Sequence, residues 1–209
     1  MDGITKNSPV FETNLKKIMN RNRFEQLLTT LHFNDNEVAD NQDQEIDKLH
    51  KIRPLMQKLL TRFQDVVNPG RNVCIDETMV PFRGRLKFKQ YIKNKRHKFG
   101  IKLYKLCLES GYTYDGKMYC VKDTQHGGNA SSNVVMSLMS SLLDTGRTLY
   151  TDNFYTSVTL AHELIKRKTH LVGTVRTNRK MNCVDVTKQK INKNEILARE
   201  SNTGIVMLK

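Results

Sequence analysis

Val73-Cys74-Ile75-Asp76-Glu77-Thr78-Met79-Val80-Pro81-Phe82-Arg83-Gly84-Arg85 is the stretch on which the reading of the fold turns. It reads as a β-strand over 73–82 that sets a carboxylate among apolar neighbours and then runs into positive charge. Strand alternation assigns Asp76 to the face of Cys74, Thr78 and Val80, and Glu77 to the opposite face. A lone acid in such a strand is costly to bury unless it is paired or binds a cation. Arg83 and Arg85 offer an ion pair. The other solution is a second carboxylate that shares a metal, and Asp152, in Leu149-Tyr150-Thr151-Asp152-Asn153-Phe154, is the candidate. Taken singly, Asp152 also fits a turn residue that bonds its own backbone.

Upstream of this strand the period is helical. Phe24, Leu27, Leu28 and Leu31 give residues 11–33 an amphipathic helix, broken near Asn20. Residues 34–45 are acidic and without period, which predicts an exposed loop. A second helical stretch runs from Ile46 to Val67, with a break or a new first turn at Pro54 and an end at Asn68-Pro69-Gly70. This N-terminal segment is expected to lie outside the sheet.

Downstream, residues 100–109 are apolar at nearly every position and predict a strand buried on both faces. Asp115-Gly116, flanked by Tyr112-Thr113-Tyr114 and Met118-Tyr119-Cys120-Val121, is a hairpin-turn signal. Residues 133–144 have helical spacing with Ser132 or Asn133 as cap and Gly146 as stop. Thr148 to Asp152 is a short strand. A helix follows, capped by Thr156 or Ser157 and closing in Lys166-Arg167-Lys168, then a strand over Leu171–Val175. The order is βββαβαβ, that of an α/β, RNase H-like mixed sheet core preceded by an α-helical segment. In that topology the middle of the first strand and the end of the fourth are neighbours, and Asp76 and Asp152 occupy those places.

Composition narrows the partners. Lys and Arg number 35 against 21 acids, a net charge of +14, which points to a polyanion and to nucleic acid before anionic membrane. From Thr78 to Leu108 no acid occurs. Ten basic residues do: Arg83, Arg85, Lys87, Lys89, Lys93, Lys95, Arg96, Lys98, Lys102 and Lys105, with Phe88, Tyr91 and Phe99 interleaved. Basic side chains with aromatics suit phosphate contact and base stacking. The four widely spaced cysteines read as reduced core residues, neither a disulfide framework nor a zinc site. His97 and His126 have no partners at metal-ligand spacing, and Gly127-Gly128 lacks the following Lys-Ser or Lys-Thr of a phosphate loop. No apolar run approaches the roughly 20 residues that cross a bilayer, and the N-terminus has no signal-peptide core, so a cytosolic or nuclear protein is expected.

Several motifs in register resemble the piggyBac-type transposases: Arg23–Asn36, Lys51-Ile-Arg-Pro-Leu55, Ile75–Arg85, Lys98-Phe-Gly-Ile-Lys102, Leu149–Ser157 and Gly173-Thr-Val-Arg-Thr-Asn-Arg-Lys180. The resemblance implies a DDE-type enzyme that cleaves and transfers DNA strands with Mg²⁺ or Mn²⁺, Asp76 and Asp152 being the first two catalytic metal ligands. It further implies transposon ends as substrate, TTAA targets, a homodimer, a nuclear location and no membrane association. The family's third catalytic aspartate lies well beyond the second, after an insertion. The acids of the tail, Asp185, Glu195 and Glu200, stand in a Lys- and Asn-rich stretch that resembles the start of that insertion. The expectation is therefore an internal or truncated piece, or a domesticated relative, with impaired cleavage. Its parts would be 1–70 (helical, of dimerisation or DNA-binding type), 71–180 (an incomplete catalytic core) and 181–209 (the opening of the insertion). A non-catalytic DNA-binding protein derived from a transposase is the alternative.

Overall fold

The computed structural model describes residues 18–35, 48–93, 97–120 and 130–209. The chain forms two compact units, Met1–Pro54 and Leu55–Lys209. In the first, helix α1 (Arg21–Thr30) starts where Asn20 accepts a hydrogen bond from the Arg23 N–H at 2.8 Å, so the expected break at Asn20 is an N-cap. The described part of the expected acidic loop begins with Asn34, whose side chain donates to the His50 carbonyl. What the sequence predicts for 11–17 and 36–47 falls outside the described residues.

Helix α2 (Arg53–Val66), most of which belongs to the second unit, has Pro54 in its first turn, where a missing N–H costs nothing. Strands β1 (Asn72–Pro81), β3 (Phe99–Leu108) and β4 (Thr113–Met118) are antiparallel neighbours, joined by the short β2 (Gln90–Tyr91) on the β3 edge. Helix α3 (Ala130–Leu138), β5 (Thr148–Thr151), α4 (Val158–Lys166) and β6 (His170–Gly173) follow. β5 lies parallel to β1 and β6 parallel to β5, giving the order β4-β3-β1-β5-β6. This is the expected RNase H-like mixed sheet. A small appendix of α5 (Val184–Lys188) and the hairpin β7 (Ala198–Glu200) with β8 (Val206–Leu208) ends the chain.

One face of the sheet makes the core. Val73 and Ile75 of β1 sit opposite Leu108 and Leu106 of β3 and pack under Val135, Leu138, Met139, Leu160 and Leu164 from the helical side. Each fully buried aliphatic side chain of this kind contributes about 1.5–3 kcal/mol over an exposed one. Ser157 caps α4 by accepting from the Leu160 N–H at 3.1 Å.

Four expectations are corrected. Asp115 and Gly116 lie inside β4, paired with Leu106 and Lys105. The turn is made instead around Gly111, at φ +81°, with its N–H bonded to the Leu108 carbonyl. Helix α3 starts at Ala130, so Ser132 and Asn133 are inside it, and it gives way to turns from Met139. Buried residues are consecutive in β3 only over Leu106–Leu108, because Ile101–Leu103 lie nearer its open end and are half-buried. Of the four cysteines, all free, only Cys107 is buried.

Candidate metal and nucleic-acid site

The parallel ladder between β1 and β5 ends at the pair Ile75 and Thr151. The next residue on each strand is an aspartate, so Asp76 and Asp152 stand level on neighbouring strands, which in a sheet lie about 4.8 Å apart. Both are exposed, and neither bears the cost of burial that an acid in an apolar strand threatens. The faces follow the alternation read from sequence. Val73 and Ile75 point into the core, Asp76 points out, and Glu77 points back in, where the Tyr155 hydroxyl donates to its Oε2 at 3.4 Å.

Local bonds fix each aspartate. The Glu77 N–H donates to Asp76 Oδ1 at 2.7 Å. Asp152 Oδ1 accepts from the Phe154 N–H at 2.9 Å, the turn role that its position allowed. Thr156 closes the same turn: its hydroxyl donates to the Asp152 carbonyl at 2.7 Å and lies 2.8 Å from the Thr151 hydroxyl. No salt bridge joins Asp76 to Arg83 or Arg85 among the described residues; its partner across the ladder is Lys105.

Tyr155 is the buried floor of the site. Burial first, and then the negative charge of Glu77, raises its phenol well above the ordinary tyrosine range, with Tyr104, Asp152 and Asp76 adding in the same direction. Lys102 sits half-buried with its ammonium 4.7 Å from the Tyr104 ring centre and 4.6 Å from that of Phe154. Carboxylate oxygens are hard donors, and one or two of them with waters and phosphate oxygens are what Mg²⁺ takes, so this pair fits such an ion. No group of three potential ligands occurs among the described residues. The tail acids serve local structure: Asp185 lies 3.8 Å from Arg199, and Glu195 accepts from the Asn192 N–H at 2.8 Å.

The ten basic positions divide. Arg83, Arg85, Lys87, Lys93 and Lys98 are exposed on the arm between β1 and β3, which the buried Phe88 anchors. Lys89 is partly tied down, donating to the Gly84 carbonyl at 3.0 Å. Lys102 and Lys105 belong to β3 and lie on opposite faces of it, Lys105 on the side of Asp76. Lys95 and Arg96 lie outside the described residues, as do His126 and Gly127-Gly128.

Two arginines were not singled out from charge. Arg176 Nε donates to Asn153 Oδ1 at 3.2 Å, and Arg179 Nη2 donates to the Phe154 carbonyl. They bring positive charge onto the turn that holds Asp152. The available signal was their spacing of three within the segment that follows β6.

A mixed sheet of this order, with one carboxylate in the middle of the first strand and another just past the end of the neighbouring parallel one, has the RNase H-like fold. The family model described as Transposase IS4 matches residues 6–209, and the chain belongs to that family. Among curated proteins it is similar to PiggyBac transposable element-derived protein 3 from Homo sapiens, 34% identical over 166 residues, 76% of this chain and 27% of that protein. It is also similar to the human PiggyBac transposable element-derived protein 2, 26% identical over 171 residues, 78% of this chain and 28% of that protein. The chain thus spans little more than a quarter of the length of these two relatives. Among solved structures it matches a piggyBac transposase synaptic complex with hairpin DNA, with a TM-score of 0.79 and 25% identity over 91% of this chain and 43% of that one. Among the described residues no helix is long and apolar enough to cross a membrane.

Proposed function

We propose that this chain is part of a piggyBac-like DDE transposase, in which Asp76 and Asp152 are two of the carboxylates that hold a divalent metal at the scissile phosphate. The observation that carries the reading is the ladder ending at Ile75 and Thr151, which leaves the two acids level and exposed. Mg²⁺ or Mn²⁺ bound there would supply charge stabilisation to a phosphodiester displacement. The chain's own contribution is to orient the pair: the Thr156 clasp holds Asp152, and Tyr155 with Glu77 closes the floor beneath it.

In this reading Arg83, Arg85, Lys87, Lys93 and Lys98 bind DNA phosphates, joined by Lys95, Arg96 and the strand lysines. The solved relative's complex with hairpin DNA supports a DNA substrate. Transposon ends, TTAA targets, a homodimer and a nuclear location belong to the same proposal, as does the assignment of 181–209 to the start of an insertion. We also infer that residues 1–209 on their own cleave DNA poorly, since two carboxylates fix a metal pair weakly. A non-catalytic DNA-binding role is the second reading, favoured by the lack of a third ligand among the described residues.

Two titrations test this. Mn²⁺ binding followed by electron paramagnetic resonance is expected to be lost in Asp76→Asn and in Asp152→Asn; unchanged binding in both would overturn the metal site. Duplex binding followed by anisotropy is expected to weaken steeply with salt and to survive Asp76→Asn. Removing Arg83 and Arg85 together should make the log–log salt slope shallower by about 2. Metal-dependent nicking abolished by Asp76→Ala would refute the inference that the chain is impaired.

A further inference from the structure

The ladder of β1 with β3 continues past its last regular pair, Pro81 with Gly100, because the Phe82 N–H donates to the Phe99 carbonyl at 3.3 Å. Phe82 and Phe99 are therefore opposite one another. On the far side of β3, Tyr91 is the partner of Phe99. Three aromatic residues thus form a row across three adjacent strands, and cross-strand partners point to the same face. The row is on the surface: Tyr91 is 57% exposed, Phe99 49% and Phe82 36%. The Tyr91 and Phe99 rings touch, with centroids 4.9 Å apart, and Lys89 lies 5.8 Å from the Phe99 centroid.

A cleft of about 440 Å³ opens here, lined by Pro81, Phe82, Arg83, His97, Lys98 and Phe99. That volume is within the roughly 300–1,000 Å³ of small-ligand pockets. Its lining pairs ring faces with cations. Arg83 and Lys98 are exposed, and His97 adds a further exposed ring. Gly84 lies against the far edge of the Phe82 ring, where an added Cβ would make the ring shift. Nothing in the core requires these rings, and exposed aromatics grouped beside cations are the equipment of a stacking platform.

We propose that this cleft binds one unpaired nucleotide, its base stacked against Phe82 and Phe99 and its phosphate held by Arg83 and Lys98. In a paired duplex each base face is covered by the next base, so only the edges are accessible. A ring face can be used only by a base that has left the stack. The platform therefore distinguishes frayed, bulged or single-stranded DNA from intact duplex, which the rest of the basic arm does not. The inference rests on the reading of this chain as a DNA-binding protein and assigns the arm a second, selective task.

The full chain is titrated against two labelled oligonucleotides, a fully paired duplex and the same duplex with one bulged thymidine. Wild type is expected to bind the bulged form about tenfold more tightly. Phe99→Leu and Phe82→Leu should each remove most of that preference and leave affinity for the paired duplex within about twofold. Arg83→Gln should weaken both. A 2-aminopurine at the bulge should change emission on binding to wild type and not to Phe99→Leu. Duplex binding with no preference for the bulge overturns the cleft assignment alone. Binding to neither oligonucleotide overturns the DNA reading and this one with it. Preference retained in both leucine variants sinks the stacking role, and so does a change in oligomeric state as their only effect.

Discussion

The acid pair and the basic arm are successive stretches of one chain, yet they are built on opposite principles. Up to Ile75 the strand is locked, with Val73 and Ile75 almost fully buried and hydrogen-bonded ladders on both sides. Beyond Phe82 the chain leaves β1 for a largely exposed arm, held by the buried Phe88 ring and by the short β2 pairing with β3. A metal site needs carboxylates held within about half an ångström, which packed strands can do. A contact to a flexible polyanion needs charge and reach, and a surface arm gives both. The difference teaches that stability and binding here are separable: damage to the strand should destroy both sites, and damage to the arm should destroy one.

Ile75→Ala is the strongest way to break that contrast. The side chain is 2% exposed and packed in the core, so its removal should cost about 2–5 kcal/mol in urea unfolding and abolish Mn²⁺ binding with it. Phe82→Ala on the arm should stay within about 0.5 kcal/mol of wild type. Similar losses in the two variants would mean that the arm is part of the folded core.

Two glycines sharpen the same comparison at smaller magnitude. A Cβ at Gly173 would meet the Thr151 carbonyl and the Thr156 hydroxyl, the groups that clasp the Asp152 turn. A strand carbonyl cannot step aside, so Gly173→Ala should cost about 1–3 kcal/mol and weaken Mn²⁺ binding. At Gly84 the obstacle is the end of the surface-exposed Phe82 ring, which can swing away. Gly84→Ala should leave the unfolding midpoint nearly unchanged. Equal shifts in the two midpoints would overturn the distinction.

The sequence made the strand scaffold readable, because period-two patterning and β-branched or apolar runs belong to strands whatever they pack against. The placement of Asp76 and Asp152 followed from strand order alone, and the register agrees with it. Turn chemistry was less legible. Asp115-Gly116 has the composition of a hairpin turn, but both residues lie in β4. The pairing of Asp115 and Gly116 with Leu106 and Lys105 of β3, invisible in a local window, overrides the turn composition. The contacts of Arg176 and Arg179 with the Asp152 turn were hidden for the same cause, since they join segments that patterning treats separately. The division of the basic run was hidden too, because charge counting does not see that Lys102 lies against two rings.

The smallest effect concerns the floor under the acids. Burial and the negative charge of Glu77, with lesser contributions from Tyr104, Asp152 and Asp76, hold the Tyr155 phenol protonated beyond the pH at which an unfolded tyrosine ionises, about 10. The unfolded chain therefore releases this proton first. Stability from this group is fully present below about pH 10 and falls as pH rises, by up to ~1.4 kcal/mol per pH unit. Tyr155→Phe removes the titration and the bond to Glu77, so at pH 7 it should cost about 1 kcal/mol or less. Between pH 10 and 11 its stability should fall less steeply than that of wild type. Asp76→Asn should leave the slope between pH 10 and 11 as in wild type, because burial and the Glu77 charge still keep the folded phenol protonated there. Arg83→Gln, on the arm, should leave that slope where it was. If the arm variant flattened it as much as Tyr155→Phe, the two regions would share one electrostatic environment, and the separation of scaffold from arm would fail.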